Sequence, residues 1–201
     1  NWPLSGSLVF AGYSPYGSGT PSFNCSTKTL TITGFTSDGQ TDLMYFLPNL
    51  SNGNLVGINN GASSVPVAFS HALSLVEFNV KGVDHDETVK LRSITFKNIP
   101  QKGNLVADAS GCSWSAPSST DDLNVFSSDD DDGEILSSAD PVTATILIIP
   151  GSAVDIELEY YAIGVSTHEK TGTIRPGDAV TEWVAGKKYI YNLTIRSGII
   201  I

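Results

Sequence analysis

The chain has 201 residues, 40% of them hydrophobic, with 19 glycines and a formal net charge of −10. That length holds one large domain or two small ones, with a sizeable core and many turns. The acidity argues against nucleic acid as a partner, and no window is apolar for the length of a membrane-spanning helix.

Threonine, valine and isoleucine recur in short runs, and no helical period holds over three turns, so the expected class is all-β. The chain opens on Asn1-Trp2-Pro3 without Met or a signal peptide, as a processed or trimmed product would. Leu8–Tyr13 reads as a first strand between Gly- and Pro-rich turns, and Tyr16–Pro21 as a loop. Lys28–Thr33 alternates and forms a second strand. Asp42–Leu47 is a third, closed by Pro48. Asn49–Ser64 is rich in Asn, Gly and Ser and suits a linker. Three strands make a poor independent domain, so this region either leans on its neighbour or lacks partner strands. The expected division is 1–64, the C-terminal portion of an N-terminal β domain plus linker, and 65–201, a β-sandwich.

Val65–Val80 organises the larger, rear portion. Up to Leu75 the bulk lies on odd positions, Val65, Val67, Phe69, Leu73 and Leu75; beyond it the apolar set is Val76, Phe78 and Val80. Strand side chains alternate, so a shift of one residue would send the wrong set to solvent. A bulge or bend near Ala72–Val76 is therefore expected, with the strand starting in one layer and finishing in another. Phe69 and Phe78 should both be interior. Thr88–Asn98 changes parity too, and antiparallel pairing with Leu75–Val80 would explain both shifts. Pro100–Gly103 reads as a turn, followed by short strands at Asn104–Ala107 and Cys112–Ser115. Ala116–Asp140 reads as a loop by composition. Pro141–Ile149 is apolar on both parities and suits a central strand. Ala153–Ile163 alternates cleanly, with Ile156, Leu158 and Tyr160 inward. Glu169–Arg175 is a weaker strand, and Lys187–Ile195 puts Tyr189, Tyr191, Leu193 and Ile195 on one face. Some seven strands at this spacing read as a Greek-key β-sandwich.

No catalytic constellation stands out. Between Gly103 and Glu169 there are 13 acids and no Lys or Arg, and Asp129–Glu134 invites a calcium reading. A loop counted from Gly133 starts on Ser128 and ends on Ala139, which fails the EF-hand pattern, so a solvated acidic loop is preferred. His71, His85 and His168 are dispersed, which disfavours zinc; His71 reads as a hydrogen-bonded structural residue. Ser70 and His71 are adjacent and point to opposite faces of a strand, so they are no dyad. Cys25 and Cys112 make no disulfide framework. The aromatics near Trp2, Tyr160 and Trp183 serve either as sugar platforms or as core; the core reading fits better. No enzyme, metal or cofactor is implied.

Four segments in order, FSHALSLVEFNV, LRSITFKNIPQKGNL, CSWS and WVAGKKYIYNLTI, resemble the fimbrillin family of Bacteroidetes surface pili. WPLSGSLVFAGYSP and TDLMYF resemble the latter portion of that family's N-terminal domain. The resemblance implies tandem transthyretin-like sandwiches, export as an outer-membrane lipoprotein, and a fimbrial or cell-surface location. The chain itself has no lipobox cysteine. The resemblance also implies polymerisation with other pilin subunits by strand exchange, and a role in adhesion to a host glycan or protein. An open edge over an apolar groove is costly, and a supplied strand satisfies both. On that reading Leu8, Phe10, Leu30, Ile32, Leu43 and Tyr45 line the accepting groove. Ile199, Ile200 and Ile201 are either the donor end or a closing strand of the second sandwich. The alternative function is a surface carbohydrate-binding module using Trp2 or Trp183.

Overall fold

The computed structural model describes residues 9–47, 50–51, 54–55, 67–83, 88–131, 133–163, 167–175, 180–196 and 199–200. Every regular element among them is a strand. The front of the chain forms β1 (Gly12–Ser14), β2 (Thr20–Asn24), β3 (Thr29–Thr36) and β4 (Met44–Phe46), then a two-residue pair, β5 (Leu50–Ser51) and β6 (Asn54–Leu55). Next come β7 (Ser70–His71), β8 (Ser74–Gly82), β9 (Thr88–Asp108), β10 (Gly111–Ser127) and β11 (Glu134–Ile135). The last are β12 (Val142–Ile148), β13 (Gly151–Ser152), β14 (Ile156–Ile163), β15 (Thr167–Ile174), β16 (Glu182–Trp183), β17 (Lys188–Arg196) and β18 (Ile199–Ile200).

The 21-residue β9 is the spine. β10 runs antiparallel along one of its edges. The other edge is shared: β14 takes Thr88–Phe96, and β3 takes Lys102–Ala107. β2 and β15 extend this large sheet beyond β3 and β14. Two smaller sheets lie across it. A three-stranded sheet, β1-β4-β7, covers the end built on β3; a four-stranded sheet, β12-β8-β17-β18, covers the end built on β14.

Two cores result. The rear core joins Val76, Phe78 and Val80 of β8 to Leu91, Ile94 and Phe96 of β9 and to Ile156, Leu158 and Tyr160 of β14. Phe78 meets Phe96 edge-on at 5.8 Å and stacks on Tyr191 at 5.4 Å. The front core joins Leu30, Ile32 and Phe35 of β3 to Leu43, Tyr45, Ala72 and Leu73 on the small sheet and Leu105 and Ala107 on β9. It draws on residues from both sides of position 64, and β3 and β9 are neighbours in one sheet. The chain is thus an all-β sandwich whose strands pass repeatedly between layers.

β9 lines both cores, and the parity of its buried residues changes twice over the rear one. Val89 and Leu91 are buried, then Ile94 and Phe96, then Ile99, Leu105 and Ala107. Arg92 is the extra residue opposite Glu159 and Tyr160. Asn98, at φ 54°, is the second, where the register with β10 jumps between Asp121 and Leu123. Asp122 Oδ1 accepts the Asn98 N–H at 3.1 Å and holds that bulge. Each inserted residue shifts the parity of the strand and so keeps the apolar set on the side that faces the core: Val89, Leu91, Ile94, Phe96 and Ile99 all belong to the rear core.

Several expectations need correction. The parity change in Val65–Val80 occurs at a break, Ala72–Leu73, between two strands of different sheets. Phe69 lies before that break and is 45% exposed, packing only on the rim against Phe46 at 6.2 Å. β8 does not pair with β9; it lies in the opposite layer, hydrogen-bonded to β12 and β17. Pro100–Gly103 continues β9 rather than turning. Most of the expected loop 116–140 belongs to β10 and β11. β12 is the outer described strand of its sheet, not a central one. Its second apolar face, Leu147 and Ile149, packs on the front core, and Leu147 N–H donates to Gly39 O at 2.8 Å.

Phe78 has no exposed surface and touches aromatic rings on β9 and β17. Phe78→Ala should lower the unfolding free energy by about 3–5 kcal/mol in urea denaturation, as for other fully buried aromatics.

Candidate functional site: a crossing point and an open sheet edge

Ala72–Ser74 carries the chain from the front sheet to the rear one, and four hydrogen bonds from three directions hold it. Ala72 N–H donates to Leu43 O at 2.8 Å, beside β4. Trp114 Nε1, on β10, donates to Ala72 O at 2.9 Å. Gly186 N–H donates to Leu73 O at 2.8 Å, and Ser74 Oγ donates to Val184 O at 2.8 Å, both in the segment leading into β17. Ala72, Leu73 and Ser74 are buried, so each unpartnered group here would be expensive. Gly186 adopts φ +69°, a conformation that costs a side-chain-bearing residue about 1–2 kcal/mol. Gly103 leaves room for the indole: a Cβ there would stand 3.0 Å from Trp114 Cε3. Three segments far apart in sequence, around His71, Trp114 and Gly186, thus meet at one point.

His71 itself faces outward. Its Nδ1 lies 2.5 Å from Asp42 Oδ2, and its side chain is 61% exposed. It is a hydrogen-bonded surface residue, not one on a buried apolar face. Clefts of 210 and 480 Å³ flank it, the first shared with Asp42 and Lys187, the second with Tyr45 and Cys112. Among the described residues no three His, Cys, Asp or Glu side chains are grouped to hold a metal ion. The acids Asp129–Asp131 are exposed in the turn between β10 and β11. Cys25 and Cys112 are free.

The second feature is a sheet edge that no other described strand covers. β1 and β2 are outer strands of the two facing front sheets. A cleft of 420 Å³ runs between them, lined chiefly by Ala11, Tyr13, Pro21, Phe23 and Leu30. The turn joining them is pinned by Tyr13, whose hydroxyl donates to Gly19 O and accepts the Gly17 N–H, both at 3.4 Å. Tyr16 stands at its tip, 97% exposed. β2 pairs with β3 in unbroken register from Thr20↔Thr33 to Asn24↔Thr29. The long outer edge of β10 differs: its register with β9 shifts three times, it contains Pro117, and Asp121 and Asp122 sit on it. Bulges, proline and charge are the usual means of blunting an edge; β2 carries one proline, Pro21, but no bulge and no charged residue.

The expected groove residues fall unevenly on this geometry. Leu30, Ile32, Leu43 and Tyr45 are buried, covered by Leu73, Leu105, Ala107 and Trp114 of the same chain. Of these only Leu30 borders the cleft. Phe10 is 41% exposed, and Leu8 lies outside the described residues. Among the described residues, what stands open is the edge beside the core, formed by β2 and its turn, whose composition reads as a loop because Pro21 and Gly19 dominate it. Ile199 and Ile200 fold back antiparallel on β17, facing Arg196 and Ile195. The Ile200 side chain packs over Gly172 beside the Tyr160 ring, and Ile201 lies outside the described residues. The sugar-platform reading fails for Trp183, which is 1% exposed, meets Phe96 edge-on at 5.4 Å and donates Nε1–H to Tyr191 Oη at 3.2 Å. Trp2 lies outside the described residues.

Trp114→Phe keeps an aromatic ring against Phe35, now at 5.4 Å, but strips the donor from Ala72 O. It should cost about 1–3 kcal/mol in chemical denaturation, the penalty of a buried carbonyl left without a partner. Tyr45 gives a pH test. Burial, then the neighbouring Cys112, pushes its hydroxyl from 10.0 up to about 12. The neutral form is favoured on folding, so its stabilisation is complete below pH 10.0 and is lost as pH rises towards about 12. Unfolding free energy should fall across that window, and the fall should shrink in Tyr45→Phe.

The profile of a family described as fimbrillin-like matches residues 1–201. No curated protein gave a match. Among solved structures, a candidate cell adhesion protein from Bacteroides uniformis is 18% identical, with a TM-score of 0.59, covering 99% of this chain and 72% of that one. A fimbrial protein from Bacteroides vulgatus is also 18% identical, with a TM-score of 0.51, covering 99% and 77%. A candidate cell adhesion protein from Bacteroides ovatus is 17% identical, with a TM-score of 0.52, covering 98% and 66%. At these identities the structures share the fold. With the profile match running the full length, the chain belongs to the fimbrillin-like family.

Proposed function

We propose that the chain is a structural subunit of a cell-surface fimbria, joined to its neighbour by a strand that pairs along the outer edge of β2. The family and the fimbrial and adhesion neighbours support the fimbrial role and the surface location. The same membership favours a structural role over an enzymatic one. The observation that carries the joining step is the contrast between edges. β2 offers an unbroken register above an apolar cleft, whereas β10 is broken three times. An added strand would satisfy backbone groups on β2 and put alternate side chains over Phe23, Tyr13 and Leu30.

The donor in this reading is the end of another copy. β17 alternates Tyr189, Tyr191, Leu193 and Ile195, and Ile199–Ile200 follow it. To serve, the Ile199–Ile200 pair must leave β17, where two residue pairs hold it. Membrane attachment through lipid and adhesion to a host ligand belong to the same proposal.

The test is titration of a synthetic peptide spanning residues 187–201 onto the folded chain, followed by size-exclusion chromatography and amide chemical shifts. Saturable binding with shifts concentrated in Thr20–Asn24 is expected, and Phe23→Asp should abolish it; Phe23 also packs on the front core, so its thermal unfolding is measured alongside and Ser22→Pro, at an exposed position of the same strand, serves as the second variant. Absence of binding, or shifts confined to β10 or β15, would overturn the assignment of the accepting edge.

A further inference from the structure

The pairing of β17 with β8 is parallel, over eight residue pairs from Lys188↔Leu75 to Ile195↔Gly82. Every other pairing among the described residues is antiparallel. The orientation decides how this ladder meets a pulling force. β8 is tied to the front body at its Ser74 end, through the hydrogen bonds from Leu43 and Trp114 to Ala72. β17 ends at the opposite end of the ladder, at Arg196. A load between the front body and the end of β17 therefore draws two parallel strands in opposite directions along their length. All eight pairs resist together. In an antiparallel hairpin pulled from its open end, the pairs break singly, each in its turn.

We infer that the β8–β17 ladder is a mechanical clamp that keeps the rear sandwich folded under tension along the fibre. The inference takes the direction of load from the fimbrial reading, in which one neighbour grips the front edge and another receives the end of β17. The geometry of the clamp does not depend on that reading. Among the described residues β17 has no comparable second ladder, since β18 contributes only two pairs on its other side. The clamp is also shielded at its loaded end. Leu75 N–H donates to Lys187 O at 3.0 Å and Gly186 N–H to Leu73 O at 2.8 Å, so the first bonds to feel the load sit beside the buried crossing.

The experiment is single-molecule force spectroscopy on two double-cysteine variants in a Cys25→Ser, Cys112→Ser background. Val67→Cys with Arg196→Cys places the attachment points at opposite ends of the ladder and shears it. Val67→Cys with Lys187→Cys places them at the same end and peels it. The three attachment residues are exposed, and the two variants are matched for thermal unfolding before pulling. The sheared variant should unfold at several-fold higher force at equal loading rate, because forced unfolding is governed by the barrier and not by the equilibrium stability. Equal forces, or a stronger peeled variant, would overturn the clamp. Peptide binding to β2 reports separately on the fimbrial assembly: its failure leaves the force difference intact, and loss of the force difference leaves peptide binding intact.

Discussion

The backbone of Ala72–Ser74 is the constraint on which the two halves of the molecule depend. A chain that moves from one core to another must pass through buried territory, where every carbonyl and amide needs a partner. No regular ladder is available there, because β7 and β8 belong to different sheets. The partners come instead from Leu43, Trp114, Gly186 and Val184. That requirement explains an indole on an otherwise small and polar stretch of β10, a glycine opposite it at 103, and a left-handed glycine at 186.

β9 solves the complementary problem. One strand lines both cores, and over the rear core its buried parity changes twice while it faces the same side. Two inserted residues, Arg92 and Asn98, reset the alternation. The bulges cost ladder bonds locally, and Asp122 recovers one by accepting the Asn98 amide. The same Asp122 pairs with Lys97, whose ammonium also lies 3.5 Å from Glu157. This exposed network adds little stability by itself; its effect is to hold the kinked strand in one register.

The arrangement bears on assembly and load alike. The front body carries the open β2 edge, the crossing ties that body to β8, and β8 grips β17 along its whole length. In the proposed assembly, a force entering at the front edge would reach the end of β17 through buried hydrogen bonds and a parallel ladder. The exposed edge of β10, though much longer than that of β2, is interrupted where a neighbour's strand would need regular spacing.

Sequence alone determined the class, most strand positions of the rear sandwich, and the inward faces of β14 and β17, because alternation over eight or nine residues is a local signal. It also marked the parity changes within Val65–Val80 and between Leu91 and Ile94, since those are written in the order of apolar residues, but not the one at Asn98. The segments around His71, Trp114 and Gly186 were legible as a family resemblance, but not as one junction. β10 was hidden because an edge strand needs backbone bonds and little apolar surface, so Ser, Asp and Pro read as loop. Tertiary structure alone decided that Phe69 stays outside, that Leu43 and Tyr45 are sealed by strands from later in the chain, and that β8 pairs with β17 rather than β9. Those outcomes depend on which distant strand arrives beside which edge, and side-chain periodicity within one segment carries no information about its partner.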